Sequence, residues 1–129
     1  MVREYLAELL NRTAKRLDEL KMRLIEAKKI KYLGRIEIVT KKIAKLSDMI
    51  KHASYGYSPV FAEDAVDEKK LKKIYDYDIS IAEEIRELDR HITEIAGKAG
   101  IFLDQSLFIA LEQRIEKIEV LIQGRKQYA

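Results

Sequence analysis

The sequence predicts an all-α protein, an antiparallel helical bundle or coiled coil of three long helices, or of four if the chain breaks at Gly34. Composition supports this, because the 129 residues include one Pro and five Gly, which leaves little material for turns. Hydrophobic residues make up 47% and charged residues 36%. The abundant Ala, Leu, Glu, Lys and Arg are good helix formers. We expect a single domain covering residues 1–129.

The clearest helix lies in the second half of the chain. Core positions recur there three and four residues apart, the a/d pattern of a coiled coil. These positions are Leu71, Ile74, Asp78, Ile81, Ile85, Leu88, Ile92, Ile95 and Ala99. The pattern predicts a helix over residues 64–97, after a linker at 54–63. Asp78 is the polar member, and we expect it to fix the register or to pair with a cation of the first helix.

A shorter helix is predicted over residues 104–123. Asp104 can cap its N-terminus, while Leu103 and Phe108 are spaced for a hydrophobic staple. Gly124 marks the expected end. The apolar stripe of this helix consists of Phe108, Leu111, Ile115, Ile118 and Ile122.

The first 52 residues carry two apolar stripes that would lie on different faces of one continuous helix. One runs from Leu6 to Ala27 and the other from Met22 to Ala53. A turn at Gly34 would explain the change of face. However, the neighbouring residues lack the Asn, Asp, Ser or Pro that usually starts a helix, and a glycine inside a helix costs only about 1 kcal/mol. We therefore predict one helix over about 2–53, kinked at Gly34, with four helices as the alternative.

A first helix of this length would extend beyond its partners and leave an apolar strip exposed. Such a strip usually meets another subunit. We therefore predict a homodimer or larger assembly, although in a four-helix monomer the same strip would be internal. The predicted interface residues are Leu6, Leu9, Leu10 and Leu17.

Charge is distributed unevenly along the chain. Residues 1–52 hold 14 Lys and Arg against 7 Asp and Glu, whereas residues 53–129 hold 11 against 15. One interpretation is that a basic first helix packs against acidic later ones. The other is that a basic cluster follows a nucleic-acid backbone, without reading bases. That cluster consists of Lys28, Lys29, Lys31, Arg35, Lys41, Lys42 and Lys45.

Signals for catalysis are few. The chain has no Cys, which excludes disulfides and thiolate sites. Glu83, Glu84 and Glu87 form E-E-x-x-E, which resembles the magnesium-binding motif of all-α nucleotide pyrophosphohydrolases. That resemblance covers five residues, and the E-x-x-D that follows in the family is missing at the usual distance. His91 lies among glutamates, but Leu88 occupies the position where a di-iron Glu-x-x-His motif needs Glu. We expect no metal and no cofactor.

These observations predict a non-enzymatic, self-associating helical scaffold or adaptor protein. The alternatives are a nucleic-acid-associated protein and, third, a small all-α metal-dependent enzyme. Charges interrupt the apolar run of the first ten residues, and no stretch approaches about 20 uncharged apolar residues. We therefore expect a cytoplasmic protein with no membrane contact. One Asn, four Gln and abundant Lys, Glu and Ile are typical of thermophilic proteins.

Overall fold

A computed structural model describes residues 2–51, 68–98 and 103–128 of the chain. These ranges contain four α-helices, one 3-10 turn and no strand, which confirms the all-α prediction. The predicted linker at 54–63 and the predicted helix start at 64 lie outside the described residues. The elements are α1 (Val2–Glu26), the 3-10 turn (Ile30–Tyr32), α2 (Leu33–Lys51), α3 (Glu68–Gly97) and α4 (Gln105–Lys126).

The chain turns between α1 and α2 through a Schellman motif, a common way to end a helix. The Lys29 N–H donates to the carbonyl of Leu24 at 2.8 Å, and the Lys28 N–H donates to that of Ile25 at 3.0 Å. The predicted single helix over 2–53 is therefore wrong. The alternative of four helices is confirmed, but the break precedes Gly34, which lies in the first turn of α2. A turn was needed because a continuous helix could not bury both apolar stripes on one side.

The four helices form two hairpins, α1 with α2 and α3 with α4, packed so that α1 lies beside α3 and α2 beside α4. Arg16 contacts Asp89, and Arg23 contacts the carbonyl of Ala96 further along both helices, so α1 and α3 run in the same direction. The bundle therefore has two distinct ends. The upper end carries the ends of α1 and α3 and the starts of α2 and α4, while the lower end carries the end of α2 and the start of α3.

The inward stripes of all four helices meet in one apolar core. The four leucines that we predicted at an oligomer interface belong to this core, and each is at most 8% exposed. The extended first helix that would have exposed them does not exist. Burying each such side chain contributes about 1.5–3 kcal/mol to folding. A homo-oligomer stays a prediction, and it needs a surface other than Leu6, Leu9, Leu10 and Leu17.

Tyr32 closes the upper end of the core. Its ring stacks on Phe108 with centroids 5.1 Å apart, and its hydroxyl donates to the carbonyl of Leu103 at 2.6 Å. The predicted cap at Asp104 is confirmed, because its side chain accepts a hydrogen bond of 2.6 Å from the Ser106 N–H. The helix that starts here continues to Lys126, two residues beyond the predicted end at Gly124.

Candidate interaction surface

The basic segment from Lys28 to Lys45 does not form one continuous cationic stripe. Three of its seven cations face glutamates of α4: Arg35 lies 3.5 Å from Glu112, Lys42 lies 3.9 Å from Glu116 and Lys45 lies 2.8 Å from Glu119. These pairs follow the α2–α4 interface, where a basic helix meets an acidic one. The interpretation of the charge imbalance as internal complementarity therefore accounts for part of the cluster.

The other four cations of the segment make no ion pair with residues that the structure describes. Lys41 lies on the outer face of α2. The remaining three surround the turn between α1 and α2, where the Nζ of Lys31 also lies 5.2 Å from the centre of the Tyr32 ring. The unpaired cations of this segment are Lys28, Lys29, Lys31 and Lys41.

Large aliphatic side chains are exposed around the same turn. Met22 is 55% exposed, Ile25 43% and Ile30 66%. We call residues 21–31 the cationic tip. This stretch holds five Lys and Arg against one Glu. Exposed aliphatic side chains that occur close together in the chain make this tip a candidate contact surface.

The backbone of the cationic tip is strained at Lys28. Its φ is +59°, the left-handed region, and it is the only described non-glycine residue with a positive φ. Lys28 occupies the position after the helix end that normally belongs to Gly or Asn. A residue with a Cβ pays about 1–2 kcal/mol to adopt this conformation. The sequence thus places a lysine where glycine would be more stable.

The glutamates of α3 do not form a metal site among the described residues. Glu84 lies 2.6 Å from Arg114 and 2.9 Å from Lys117, while Glu87 bonds Arg90. The hydrogen bond from Arg90 holds the pKa of Glu87 below its ordinary value. Within the described ranges, no three His, Cys, Asp or Glu side chains come together to hold an ion. The three glutamates of the E-E-x-x-E motif therefore face different surroundings, and Glu83 is exposed to solvent.

Asp78 pairs with Arg125 of α4 and not with a cation of the first helix. The Nε of Arg125 donates to Oδ1 of Asp78 at 2.8 Å, and both side chains are buried. Sequence reasoning missed Arg125, because the helix was expected to end at Gly124. The signal was present, since Ile118, Ile122 and Arg125 continue the spacing of four and three. Two opposite charges thus occupy facing core positions at the lower end.

Gly124 allows an aromatic side chain to lie directly on α4. A Cβ added there would meet the hydroxyl oxygen of Tyr77 at 2.8 Å. The ring of Tyr77 lies 5.8 Å from that of Tyr128. The two rings border a shallow cleft with Lys73 and Asp76. Gly124 is therefore a site of close packing within α4 and not its end.

A groove of about 320 Å³ runs between α1 and α2. Its floor is apolar, with Leu10 and Ile43, and small residues such as Ala14 and Ala44 leave the space open. Asp48 and other polar residues form its rim.

Comparison of the chain with protein-family models, with curated proteins and with solved structures found no match. Among the residues that the structure describes, no helix has the length and apolarity needed to cross a membrane.

Proposed function

We propose that this protein is a non-enzymatic helical scaffold or adaptor of the cytoplasm that acts by self-association. The single observation that supports the proposal is the cationic tip, where Met22, Ile25 and Ile30 are exposed beside cations that have no ion pair among the described residues. Exposed aliphatic side chains also occur at Ile38, Ile79, Ile109 and Val120. At the tip, however, three of them lie within nine residues of the chain and beside several cations, a combination that favours a protein partner. A single-stranded nucleic-acid partner would instead favour aromatic side chains for stacking.

The core explains why the outer surface has to carry this role. The inward apolar stripes of all four helices are buried against one another in the core of a single chain. A partner can therefore be met only through outward residues, and the ion pairs between α2 and α4 already occupy one of the outer grooves. The cationic tip lies outside the α2–α4 pairs. Its Lys21 lies 3.8 Å from Glu37 and its Arg23 donates to the carbonyl of Ala96, whereas the lysines of the turn itself make no ion pair with described residues.

Sedimentation velocity over a range of protein concentrations tests the proposal. At moderate salt we expect species larger than the 15.1 kDa monomer, with a population that grows with concentration. A chain that remains monomeric at every concentration would contradict self-association. Circular dichroism melting of the same samples is the control, because it confirms that the folded protein was measured.

The second candidate is a nucleic-acid-associated protein, favoured by Lys28, Lys29, Lys31 and Lys41, which have no ion pair within the described ranges. Binding through phosphate contacts should weaken steeply as salt is raised. Fluorescence anisotropy with a labelled DNA duplex measures this. We expect Lys28→Glu with Lys41→Glu to abolish binding if this candidate is correct. An affinity that is indifferent to those changes would exclude it.

A further inference from the structure

We infer that two copies of this chain associate antiparallel through their α1–α2 hairpins, the cationic tip of each copy entering the groove between α1 and α2 of the other. The inference rests on the proposed self-association and names the two surfaces that meet. Both surfaces consist of residues within the described range 2–51. Three observations carry it: the open apolar groove, the exposed aliphatic side chains of the tip, and the unpaired charges of opposite sign beside them.

The groove offers apolar surface that the described residues leave open. Its floor contains Leu10, Leu17 and Ile43, and its volume is about 320 Å³. That is roughly ten times the volume that one water molecule takes in the liquid. Ala14 on α1 and Ala44 on α2 carry only a methyl group each, which leaves the space between the helices unfilled. A larger aliphatic side chain from a second copy would remove apolar area of both surfaces from water, which favours association.

The tip and the groove lie on the same face of the hairpin. Ile25 follows Ala14 by 11 residues, which is close to three full turns of α1, so both side chains project from nearly the same side of the helix. In α2, Leu33 precedes Ala44 by the same 11 residues. The two levels are roughly 16 Å apart along each helix. A two-fold axis midway between them would therefore place the tip of each copy on the groove of the other.

The tip cannot enter the groove of its own copy. Ile25 and Ala14 belong to one continuous helix, Val2–Glu26, which fixes their separation at roughly 16 Å. An isoleucine side chain extends only a few ångströms from its Cα, far less than this separation. Ile30 lies beyond Ile25, in the 3-10 turn. Contact between these side chains and the groove therefore requires a second molecule.

Unpaired charges of opposite sign border the two surfaces. Lys28 at the tip and Asp48 at the groove make no ion pair with described residues. Lys51, the other charged residue of the groove, lies at the end of α2. Lys28 is three residues beyond Ile25 and Asp48 is four beyond Ala44, so the two charges come level when Ile25 of one copy meets Ala44 of the other. Such complementarity orients two surfaces, while apolar contact stabilises the complex.

This arrangement has a defined consequence for the assembly. Each copy supplies one tip and one groove, and the two-fold axis forms both contacts at once. No tip and no groove is left available for a third copy. The expected product is a closed dimer with twice the 15.1 kDa mass of the monomer.

Charge reversal tests the arrangement in sedimentation velocity with the full chain. The tip variant is Lys28→Glu and the groove variant is Asp48→Lys. Each alone should dimerise at least tenfold more weakly than the unchanged chain, because like charges then face each other at both contacts. An equimolar mixture of the two variants should restore dimers, since a mixed dimer again pairs opposite charges at both contacts.

A third variant, Ala44→Gln, tests the groove without changing its charge. Gln is a good helix former, and position 44 is exposed, so the fold should be retained. The longer amide side chain would occupy the space that Ile25 of the other copy enters. We expect dimerisation to weaken at least tenfold, with an unchanged circular dichroism spectrum. Full dimerisation of Ala44→Gln would overturn the placement of the tip in this groove.

Matched controls make the same charge changes on α3, away from the α1–α2 hairpin. Lys72→Glu and Glu83→Lys lie at exposed positions and should dimerise like the unchanged chain. Dimers that are indifferent to Lys28→Glu, or that respond equally to the controls, would overturn the antiparallel mode and leave the proposed self-association intact. Assemblies that grow beyond the dimer would do the same. A strictly monomeric unchanged chain would overturn both proposals.

Discussion

The two ends of the bundle are held by different kinds of contact. At the lower end, Arg125 and Asp78 form an ion pair inside the apolar stripes, with side chains only 5% and 9% exposed. At the upper end, Tyr32 stacks on Phe108 and donates one hydrogen bond to the carbonyl of Leu103. The lower end therefore depends on two charges removed from water. The upper end depends on apolar area and a neutral hydrogen bond.

The two kinds of contact have different effects: the ion pair selects the register of the helices, and the aromatic contact stabilises the folded state. A buried ion pair gains little net free energy because both charges lose their hydration, but an uncompensated partner is very costly. Sliding α4 along α3 by one heptad would place Arg125 and Asp78 each against an apolar side chain. The lower end thus selects one register of the second hairpin. The upper end stabilises the fold without burying any charge, so a shifted register there would not leave a charge without its partner.

Breaking the lower ion pair gives the largest expected effect. Asp78→Ala leaves the Arg125 guanidinium buried without this carboxylate, and we expect the free energy of unfolding to fall by about 3 kcal/mol. Urea unfolding followed by circular dichroism measures the change. The control is Asp78→Leu combined with Arg125→Met, which removes both charges and should recover most of the loss. A double variant as unstable as Asp78→Ala would show that the pair stabilises the fold as well as fixing its register.

The comparison also shows which parts of this fold can be predicted from sequence. Helix periodicity predicted the apolar stripes of α3 and α4 and showed that Asp78 is the polar member of the α3 stripe. Periodicity could not predict that Arg125 pairs with Asp78, because the choice of neighbouring helix depends on how four similar apolar stripes pack together. The turn at Lys28 was missed since sequence signals for a left-handed helix exit are Gly and Asn. The lysines at the turn of the cationic tip belong to the basic cluster that the sequence predicted. The exposure of the aliphatic side chains beside them could be seen only in the structure.

Two helical glycines, Gly124 in α4 and Gly34 in α2, provide a second test of the lower end. Gly124→Ala would push a methyl group into the ring of Tyr77, and we expect a net loss of about 1 kcal/mol, because overpacking exceeds the gain in helix propensity. The matched control is Gly34→Ala in α2, where a Cβ meets nothing within 4 Å. That variant should gain about 0.5 kcal/mol. Thermal unfolding measures both.

A further variant tests whether the loss of stability in Gly124→Ala is caused by the ring of Tyr77. In a Tyr77→Ala background the space above α4 is free, so Gly124→Ala should become stabilising like Gly34→Ala. If Gly124→Ala is equally harmful with and without the Tyr77 ring, close packing against Tyr77 is not the reason for glycine at this position.

At the upper end, Lys28→Gly relieves the left-handed backbone. We expect a gain of about 0.5–1 kcal/mol, which is the strain of a residue with a Cβ less the greater unfolded-state entropy of glycine. Lys28→Ala is the control, since it removes the charge but keeps the strain, and it should show no such gain. The midpoint of urea unfolding distinguishes the two. Equal midpoints for both variants would mean that Lys28 affects stability through its charge and not through its backbone.

The smallest effect concerns the cap of α4, next to the carbonyl that binds Tyr32. Hydrogen bonds from the Ser106 hydroxyl and then the Ser106 N–H hold the pKa of Asp104 below its ordinary value. A carboxyl whose pKa is lower in the folded state stabilises the protein fully above the unfolded-state pKa. That contribution is lost as the pH falls through the folded-state pKa. Asn caps helices nearly as well as Asp but does not titrate, so Asp104→Asn should show a shallower fall of Tm below about pH 4. The pKa of Glu87 is also lowered, by its hydrogen bond from Arg90, and this residue is unchanged in the variant. The informative quantity is therefore the difference between the two curves of Tm against pH. Parallel curves would show that protonation of the Asp104 carboxylate does not cause the loss of stability at acid pH.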